Sequence, residues 1–222
     1  MPKDSAVLAA FDRLFDAAIA AGQGSVIDYT LPQPRWQFIC HLADTRDIVV
    51  HGSPNHDIAL FEPRQTQDET EFGNQKAVYA ASDGLWPIYF AILDRGIHPM
   101  STINASLKLE GPEGLSEPLY YFSITRAALE KRAFGRGMVY FLPRHSFTPQ
   151  PPEQQDGQLV HIAQWVRRSD GETVNDIPVR MHQTRRRQRK WESPVGLLCQ
   201  AGTTRNAHSR KYVKCLLRDI RN

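Results

Sequence analysis

Ile48-Val49-Val50-His51-Gly52-Ser53 is the first of two stretches that decide the predicted fold. The second is Lys76-Ala77-Val78-Tyr79-Ala80-Ala81-Ser82-Asp83. Both contain an apolar run typical of buried strands, and both end in small or polar residues that favour a turn. Asp83 is placed to cap a helix over residues 84–93, in which Pro87 is early enough to be tolerated in the first turn. We therefore expect strands over residues 47–51 and 76–81, with a helix directly after the second.

The rest of the chain predicts more strands and few helices. Ser5 is the expected cap of a helix whose apolar residues recur at three- and four-residue spacing until Gly22 and Gly24 end it. Residues 36–42 favour one or two helical turns that cover a sheet edge. The second half predicts strands over residues 103–109, 119–124, 137–142, 158–166 and 177–180, a short helix over residues 125–132 and an exposed loop over residues 148–157. Six or seven strands with a few helices predict the α+β class.

The composition is that of a globular protein with one domain. The chain has 222 residues, of which 41% are hydrophobic and 23% charged. It contains no run of about 18 apolar residues and no apolar leader, so we expect no membrane span, no signal peptide and a cytoplasmic location. The cysteines Cys40, Cys199 and Cys215 lack zinc-ligand spacing and a disulfide pattern, and Cys40 favours a buried thiol. A turn separates His51 from His56, and no third ligand has a natural spacing, so no metal site is predicted.

The charge is distributed unevenly along the chain. Residues 180–222 hold 12 Lys and Arg against 2 Asp and Glu, whereas the first 179 residues hold 15 basic and 22 acidic side chains. We expect one domain over residues 1–179 and a basic extension over residues 180–222. Three interpretations of the extension stay open: a solvated and poorly ordered tail, a segment acquired by a change of reading frame, or a binding surface for RNA or DNA. The side chains that would contact nucleic acid are Arg185, Arg186, Arg187, Arg189 and Lys190.

With the loop Phe72-Gly73-Asn74-Gln75 between them, the two opening stretches resemble the first half of the ADP-ribosyltransferase-like fold. The resemblance covers about a quarter of the chain and implies two small sheets packed face to face, with helices outside. It also implies NAD as a substrate. His51 matches a residue that hydrogen-bonds the ribose on the nicotinamide side, and the backbone of Gly52 matches the one that holds the carboxamide of nicotinamide.

Further site residues follow from the same resemblance. Tyr79 matches an aromatic residue that stacks on nicotinamide. Tyr89 and Phe90 are both candidates for the second ring of the stack, and the spacing favours Tyr89. Ser53 and Ser82 match small polar positions beside the pocket, and Arg64 is placed to meet the phosphates of NAD.

The third catalytic position departs from the family pattern. Active transferases of this type carry a Glu on a later strand, whereas this chain has Gln164 there. An amide can hold a ribose hydroxyl, but it has no charge to balance the cation that forms as the glycosidic bond breaks. We expect His51, Tyr79 and Gln164 to converge on one pocket.

Two classes of function follow from these observations. The first is NAD binding, with ADP-ribosyl transfer and nicotinamide release if the site is active. The alternative is a non-catalytic module of the same fold that binds nucleic acid through its basic tail. Transfer of an RNA 2′-phosphate onto NAD is a third interpretation within the same fold. Enzymes of that type carry additional Arg and His residues around the pocket, and these have no match here.

Overall fold

The computed structural model describes residues 2–22, 24–168, 179–183 and 212–216. These residues form four α-helices and thirteen strands, in two antiparallel sheets, and the predicted α+β class is confirmed. The helices are α1 (Ser5–Ala20), α2 (Arg35–Thr45), α3 (Leu85–Ile92) and α4 (Arg126–Glu130). The strands are β1 (Ile48–Ser53), β2 (Arg64–Gln65), β3 (Lys76–Ala81), β4 (Thr102–Gly111), β5 (Gly114–Leu115), β6 (Leu119–Thr125), β7 (Gly137–Pro143), β8 (Thr148–Pro149), β9 (Glu153–Gln155), β10 (Gln158–Ile162), β11 (Gln164–Arg168), β12 (Val179–Gln183) and β13 (Tyr212–Leu216).

The first sheet is built around the two stretches that opened the sequence. Its strand order is β12-β7-β1-β3-β11-β8, with β2 paired to β3. One face carries Val50, Phe141 and Met181, and it packs against buried aromatic residues of α1 and α2 such as Phe15 and Phe38. Apolar residues at helical spacing on α1 and at alternate positions on the strands therefore meet in one core.

Helix α1 begins at Ser5, the residue expected to cap it. The carboxylate of Asp4 accepts a hydrogen bond from the Ala6 N–H at 2.8 Å, so Asp4 and not Ser5 caps the helix. Helix α2 is longer than the expected one or two turns, and its residues Phe38, Ile39 and Leu42 are fully buried. It covers a face of the first sheet, not an edge.

Helix α3 lies between the two sheets. A Cβ added to Gly52 would stand 1.7 Å from the Pro87 carbonyl oxygen, and one added to Gly137 would stand 1.6 Å from that of Ala91. These two glycines of β1 and β7 therefore let the helix backbone rest directly on the first sheet. On its other side, Trp86 of α3 packs with Phe122 of the second sheet. The expectation that all helices lie outside is corrected by α3, whose eight residues include no charged side chain, as is typical of a helix buried all round.

The second sheet has the strand order β13-β6-β4-β10-β9, with β5 paired to β4. The expected single strand over residues 158–166 is two strands, because β10 pairs with β4 and β11 pairs with β3 of the first sheet. Ala163 is the link between them. Its N–H donates to the Ser106 carbonyl at 2.9 Å, and its own carbonyl accepts from the Ser82 N–H at 3.0 Å. The chain thus crosses from one sheet to the other at Ala163.

The expected boundary near residue 179 falls on a paired strand. β12 pairs along β7, and Met181 within it is 1% exposed in the main core. Arg180 exchanges backbone hydrogen bonds with Ser25 and Ile27. β13 pairs with β6, so part of the basic extension belongs to the sheets. The basic run at residues 185–190 lies outside the described residues, and nucleic-acid contact through it stays a prediction.

None of the helices described here has the length and apolar character needed to cross a bilayer.

Candidate functional site

A cavity of about 630 Å³ lies where the two sheets meet. Its walls come from α2, from the turn between β3 and α3, from β4 and β6, and from the crossing between β10 and β11. The volume is within the usual range for small-molecule sites, which is roughly 300–1,000 Å³. The cavity is therefore the first candidate for a binding site.

Asp83 forms a polar hub in the cavity wall. It is 8% exposed, and its Oδ1 accepts from the N–H groups of Leu85 and Trp86, both at 2.7 Å. Its Oδ2 accepts from the hydroxyls of Ser106 and Tyr120. Burial raises the pKa of this carboxyl, and the four hydrogen bonds oppose the rise. The Asp83 side chain caps the first turn of α3 as predicted, although Gly84 occupies the N-cap position, and the carboxylate also ties α3 to β4 and β6.

The occupied cap has a consequence for ligands. The first N–H groups of α3 already bind the Asp83 carboxylate, so this helix terminus is not free to receive a phosphate.

Cys40 lies on the α2 side of the cavity and is half-buried. A Cβ on Gly84 would stand 2.5 Å from the Cys40 backbone nitrogen, so α2 rests directly on the turn that carries Asp83. Burial raises the pKa of the Cys40 thiol, and the charge of Asp83 raises it further. A thiol with a raised pKa stays protonated at neutral pH, so Cys40 has the character of a wall residue and not of a nucleophile.

Charged side chains complete one part of the wall. Asp44, Lys108 and Glu117 all line the cavity. Burial raises the pKa of Asp44, the charge of Lys108 lowers it, and the charge of Glu117 adds to the rise. His161 also lines the cavity, and its Nε2 lies 2.6 Å from a carboxylate oxygen of Glu110.

Gln150 lies in the cavity wall and carries a buried acceptor. The residue is 6% exposed, and its Nε2 donates to Glu153 at 2.7 Å, which fixes the orientation of the amide. Its Oε1 is buried and accepts no hydrogen bond from the part of the chain that the structure describes. Burying an acceptor without a partner costs about 1–3 kcal/mol. This oxygen is buried from the cavity as well, so the fold itself carries that cost.

The three residues expected to share a pocket lie on consecutive strands of the first sheet, β1, β3 and β11. Val50 stands opposite Ala81, so the alternation of side chains places His51 and Tyr79 on opposite faces. His51 packs edge-on against Phe61 with ring centroids 4.9 Å apart, and its Nδ1 lies 2.6 Å from the Tyr79 carbonyl oxygen. The expected convergence is therefore not found.

The Tyr79 hydroxyl contacts the loop that precedes β3. It accepts from the Gln75 N–H at 2.9 Å and donates to the Gly73 carbonyl at 2.6 Å. Gln164 does not line the cavity, although its neighbours Ala163 and Trp165 do.

The other expected site residues have structural contacts of their own. Gly52 lies against α3, and the Ser53 hydroxyl accepts from the Asn55 N–H at 3.1 Å. Tyr89 packs on Phe122 with ring centroids 4.7 Å apart. Its hydroxyl donates to the Ser123 carbonyl at 3.0 Å.

Arg64 is exposed on β2, and its charge adds to the burial that lowers the pKa of His51. Of the eight expected residues, Ser82 alone lines the cavity.

Several residues of the cavity wall were not predicted from the sequence. Gln150 belongs to a loop rich in Pro and Gln that was expected to be exposed, and it is buried instead. Trp36 and Asp44 come from α2 and Lys108 from β4, and no motif marks these two elements as neighbours. Their meeting depends on the crossing at Ala163, which the apolar pattern of the sequence does not reveal.

Within the described part of the chain, no group of three or more His, Cys, Asp or Glu side chains is placed to hold a metal ion. Comparison of the chain with protein-family models, with curated proteins and with solved structures found no match.

Proposed function

We propose that this protein binds a small molecule with a flat ring in the cavity between its two sheets. The observation that carries the proposal is the cavity itself, which has the size of a small-molecule site and carries three aromatic residues in its wall.

Aromatic residues of the wall support a flat ligand. Trp36, Tyr120 and Trp165 all line the cavity, each from a different element. Aromatic side chains bind flat rings by stacking or by edge contact, with a stabilisation of about 0.5–1.5 kcal/mol per pair beyond the area buried. The polar atoms between these rings would orient the ligand.

The test is a titration with benzamide, a flat ring with an amide donor. Tryptophan fluorescence reports binding, because two of the four tryptophans line the cavity. We expect a saturable change, and Trp36→Ala is expected to weaken binding about fivefold, the loss of one aromatic contact of about 1 kcal/mol. Phe72→Ala is the control, since Phe72 lies outside the cavity wall. Equal affinities for the two variants, or no saturation at millimolar benzamide, would contradict the proposal.

NAD binding is a second candidate, and the strand order favours it. An ADP-ribosyltransferase-like fold needs its His and Tyr strands side by side, and β1, β3 and β11 are consecutive in the first sheet. Against it stand the opposite faces of His51 and Tyr79 and the occupied N-terminus of α3.

Calorimetry with NAD, followed by chromatography for released nicotinamide, tests this candidate. Gln164→Glu is expected to raise any release, because it adds negative charge where positive charge develops. His51→Ala is expected to lower NAD affinity, with the melting temperature measured in parallel, since the ring also packs on Phe61. Neither heat nor release at millimolar NAD would exclude this candidate and leave the nucleic-acid module as the sequence-based alternative.

A further inference from the structure

We propose that the cavity selects ligands with an amide edge, in which a carbonyl oxygen and an N–H group lie side by side, and that Lys108 and His161 bind this edge. The inference rests on the proposed binding of a flat ligand in the same cavity. It names the polar group that such a ligand carries.

Lys108 and His161 are neighbours in the cavity wall. They stand directly opposite each other in the antiparallel pair of β4 and β10, and both line the cavity. Side chains at opposite positions of such a pair share one face of the sheet, with Cβ atoms about 4.5–5.5 Å apart. Two polar side chains on neighbouring strands therefore start from adjacent points of the same wall.

Glu110 fixes the tautomer of the His161 ring. The Nε2 atom of His161 lies 2.6 Å from a carboxylate oxygen of Glu110, and an ionised carboxylate only accepts hydrogen bonds. Nε2 therefore carries the hydrogen, and in the neutral ring Nδ1 carries a lone pair. Nδ1 has no hydrogen-bond partner among the described residues, so a ligand N–H group can donate to it.

Lys108 supplies the complementary donor. Burial raises the pKa of Asp44 on α2, and the charge of Lys108 opposes that rise. The ammonium of Lys108 therefore lies close enough to act on Asp44, which lines the cavity from α2. An ammonium has three N–H donors, so it can bind a ligand carbonyl and still balance this carboxylate.

A donor and an acceptor side by side favour an amide edge over other polar groups. A carboxylate has acceptors only, so one of its oxygens would face the lone pair of Nδ1, whereas a primary ammonium has donors only and would face Lys108. The pair lies on β4 and β10. It is therefore separate from Gly52, to which the sequence assigned contact with a carboxamide, since Gly52 lies against α3 and outside the cavity wall.

The experiment compares benzamide with acetophenone, in which a methyl group replaces the amide NH₂ while the ring and the carbonyl are kept. Calorimetry at pH 8 is expected to show about fivefold tighter binding of benzamide, the scale of one hydrogen bond. His161→Phe keeps a flat ring but removes Nδ1, so it should bring benzamide down to the affinity of acetophenone. His145→Phe, the same change at an exposed histidine outside the cavity wall, should keep the fivefold ratio.

Two further variants test the acceptor and the donor separately. Glu110→Gln should lower the ratio of the two affinities, because an amide can donate to Nε2 and so leave the hydrogen on Nδ1. Lys108→Met should weaken benzamide and acetophenone equally, by about fivefold, since both carry the carbonyl. Lys131→Met, at an exposed lysine outside the cavity wall, should change neither affinity.

The outcomes separate this inference from the function on which it rests. Equal binding of the two probes by the wild type, or tighter binding of acetophenone, would overturn the amide edge and leave flat-ligand binding standing. A ratio that stays the same in His161→Phe and in Glu110→Gln would remove His161 as the acceptor, and if His161→Phe does not fold, Glu110→Gln decides alone. Wild-type affinities in Lys108→Met would remove Lys108 as the donor. Saturation by neither probe would overturn both proposals.

Discussion

Gly52 lies where β1 meets α3, and its missing side chain lets the helix rest directly on the strand. From the sequence we predicted a ligand beside Gly52, because close approach of another group is the usual reason for a glycine in a strand. The approaching group is the helix backbone at Pro87. A glycine pattern predicts a close neighbour correctly, but it does not identify that neighbour.

Gly52→Ala is expected to destabilise the protein by about 3 kcal/mol, because its Cβ would stand where the Pro87 carbonyl is and the helix would have to shift. Urea unfolding measures the loss. Gly111→Ala is the control, since the nearest atom to its Cβ is 3.9 Å away. Two variants of similar stability would show that α3 does not depend on this contact.

Asp83 connects a helix to two strands through one carboxylate. Asp83→Ala leaves four donors without their acceptor, so we expect a loss of about 3 kcal/mol or more in the free energy of unfolding. Asp83→Asn keeps one oxygen and should lose less. If both variants unfold at the same denaturant concentration as the wild type, the hub is not a source of stability.

At the scale of elements, α1 and α2 are joined by a small charged network. The carboxylate of Asp12 lies 3.1 Å from His41 Nε2 and 3.0 Å from an Arg46 nitrogen, and Arg46 also contacts Asp16. Burial acts to raise the pKa of Asp12, but the hydrogen bonds from His41 and Arg46 outweigh it and hold the pKa below its usual range. The network therefore contributes stability only while Asp12 is ionised.

This network predicts a dependence of stability on pH. A carboxyl whose pKa is lower in the folded state contributes its full stability above the unfolded pKa of about 3.9 and loses it as the pH falls through the folded pKa. At pH 7 the free energy of unfolding of the wild type should exceed that of Asp12→Asn by about 1 kcal/mol or less, because the Asp12–Arg46 ion pair is partly exposed. The difference should shrink towards pH 3 in urea titrations. A difference that does not change with pH would assign the effect to packing instead.

The sequence predicted most elements because their signals are local. Alternating apolar residues predicted β4, and Asp83 ahead of an apolar run predicted the capping of α3. The division of residues 158–166 between two sheets has no local signal, since apolar residues recur from Leu159 to Val166 without a turn residue between them. The cavity wall depends on that division, so its residues were not predictable from spacing alone.

The whole molecule includes a strand that the charge pattern assigned to a tail. Met181 is fully apolar and buried, but it sits between basic residues, and composition over a long window hides a single core position. The charge pattern alone predicts that a chain cut after Pro178 stays folded, whereas the burial of Met181 indicates that such a chain loses part of its core.

A chain that ends at residue 183 is expected to be more stable than one that ends at residue 178. The shorter chain loses Met181, a core side chain whose truncation costs about 2–5 kcal/mol. It also leaves β7 as an open edge, which favours aggregation. Thermal melting and light scattering of the two chains decide the point, and identical behaviour would place β12 outside the folding unit.

The order of strands in the first sheet also sets when this protein completes its fold during synthesis. β3 pairs with β11, and roughly 90 residues separate the partners along the chain. At about 5–20 residues per second, the ribosome needs roughly 5 to 20 seconds to make that intervening segment. For that time β3 has an unpaired edge, and nascent chains arrested before residue 164 should bind chaperones that recognise extended apolar segments, whereas chains that also contain β12 and end after residue 183 should bind them less.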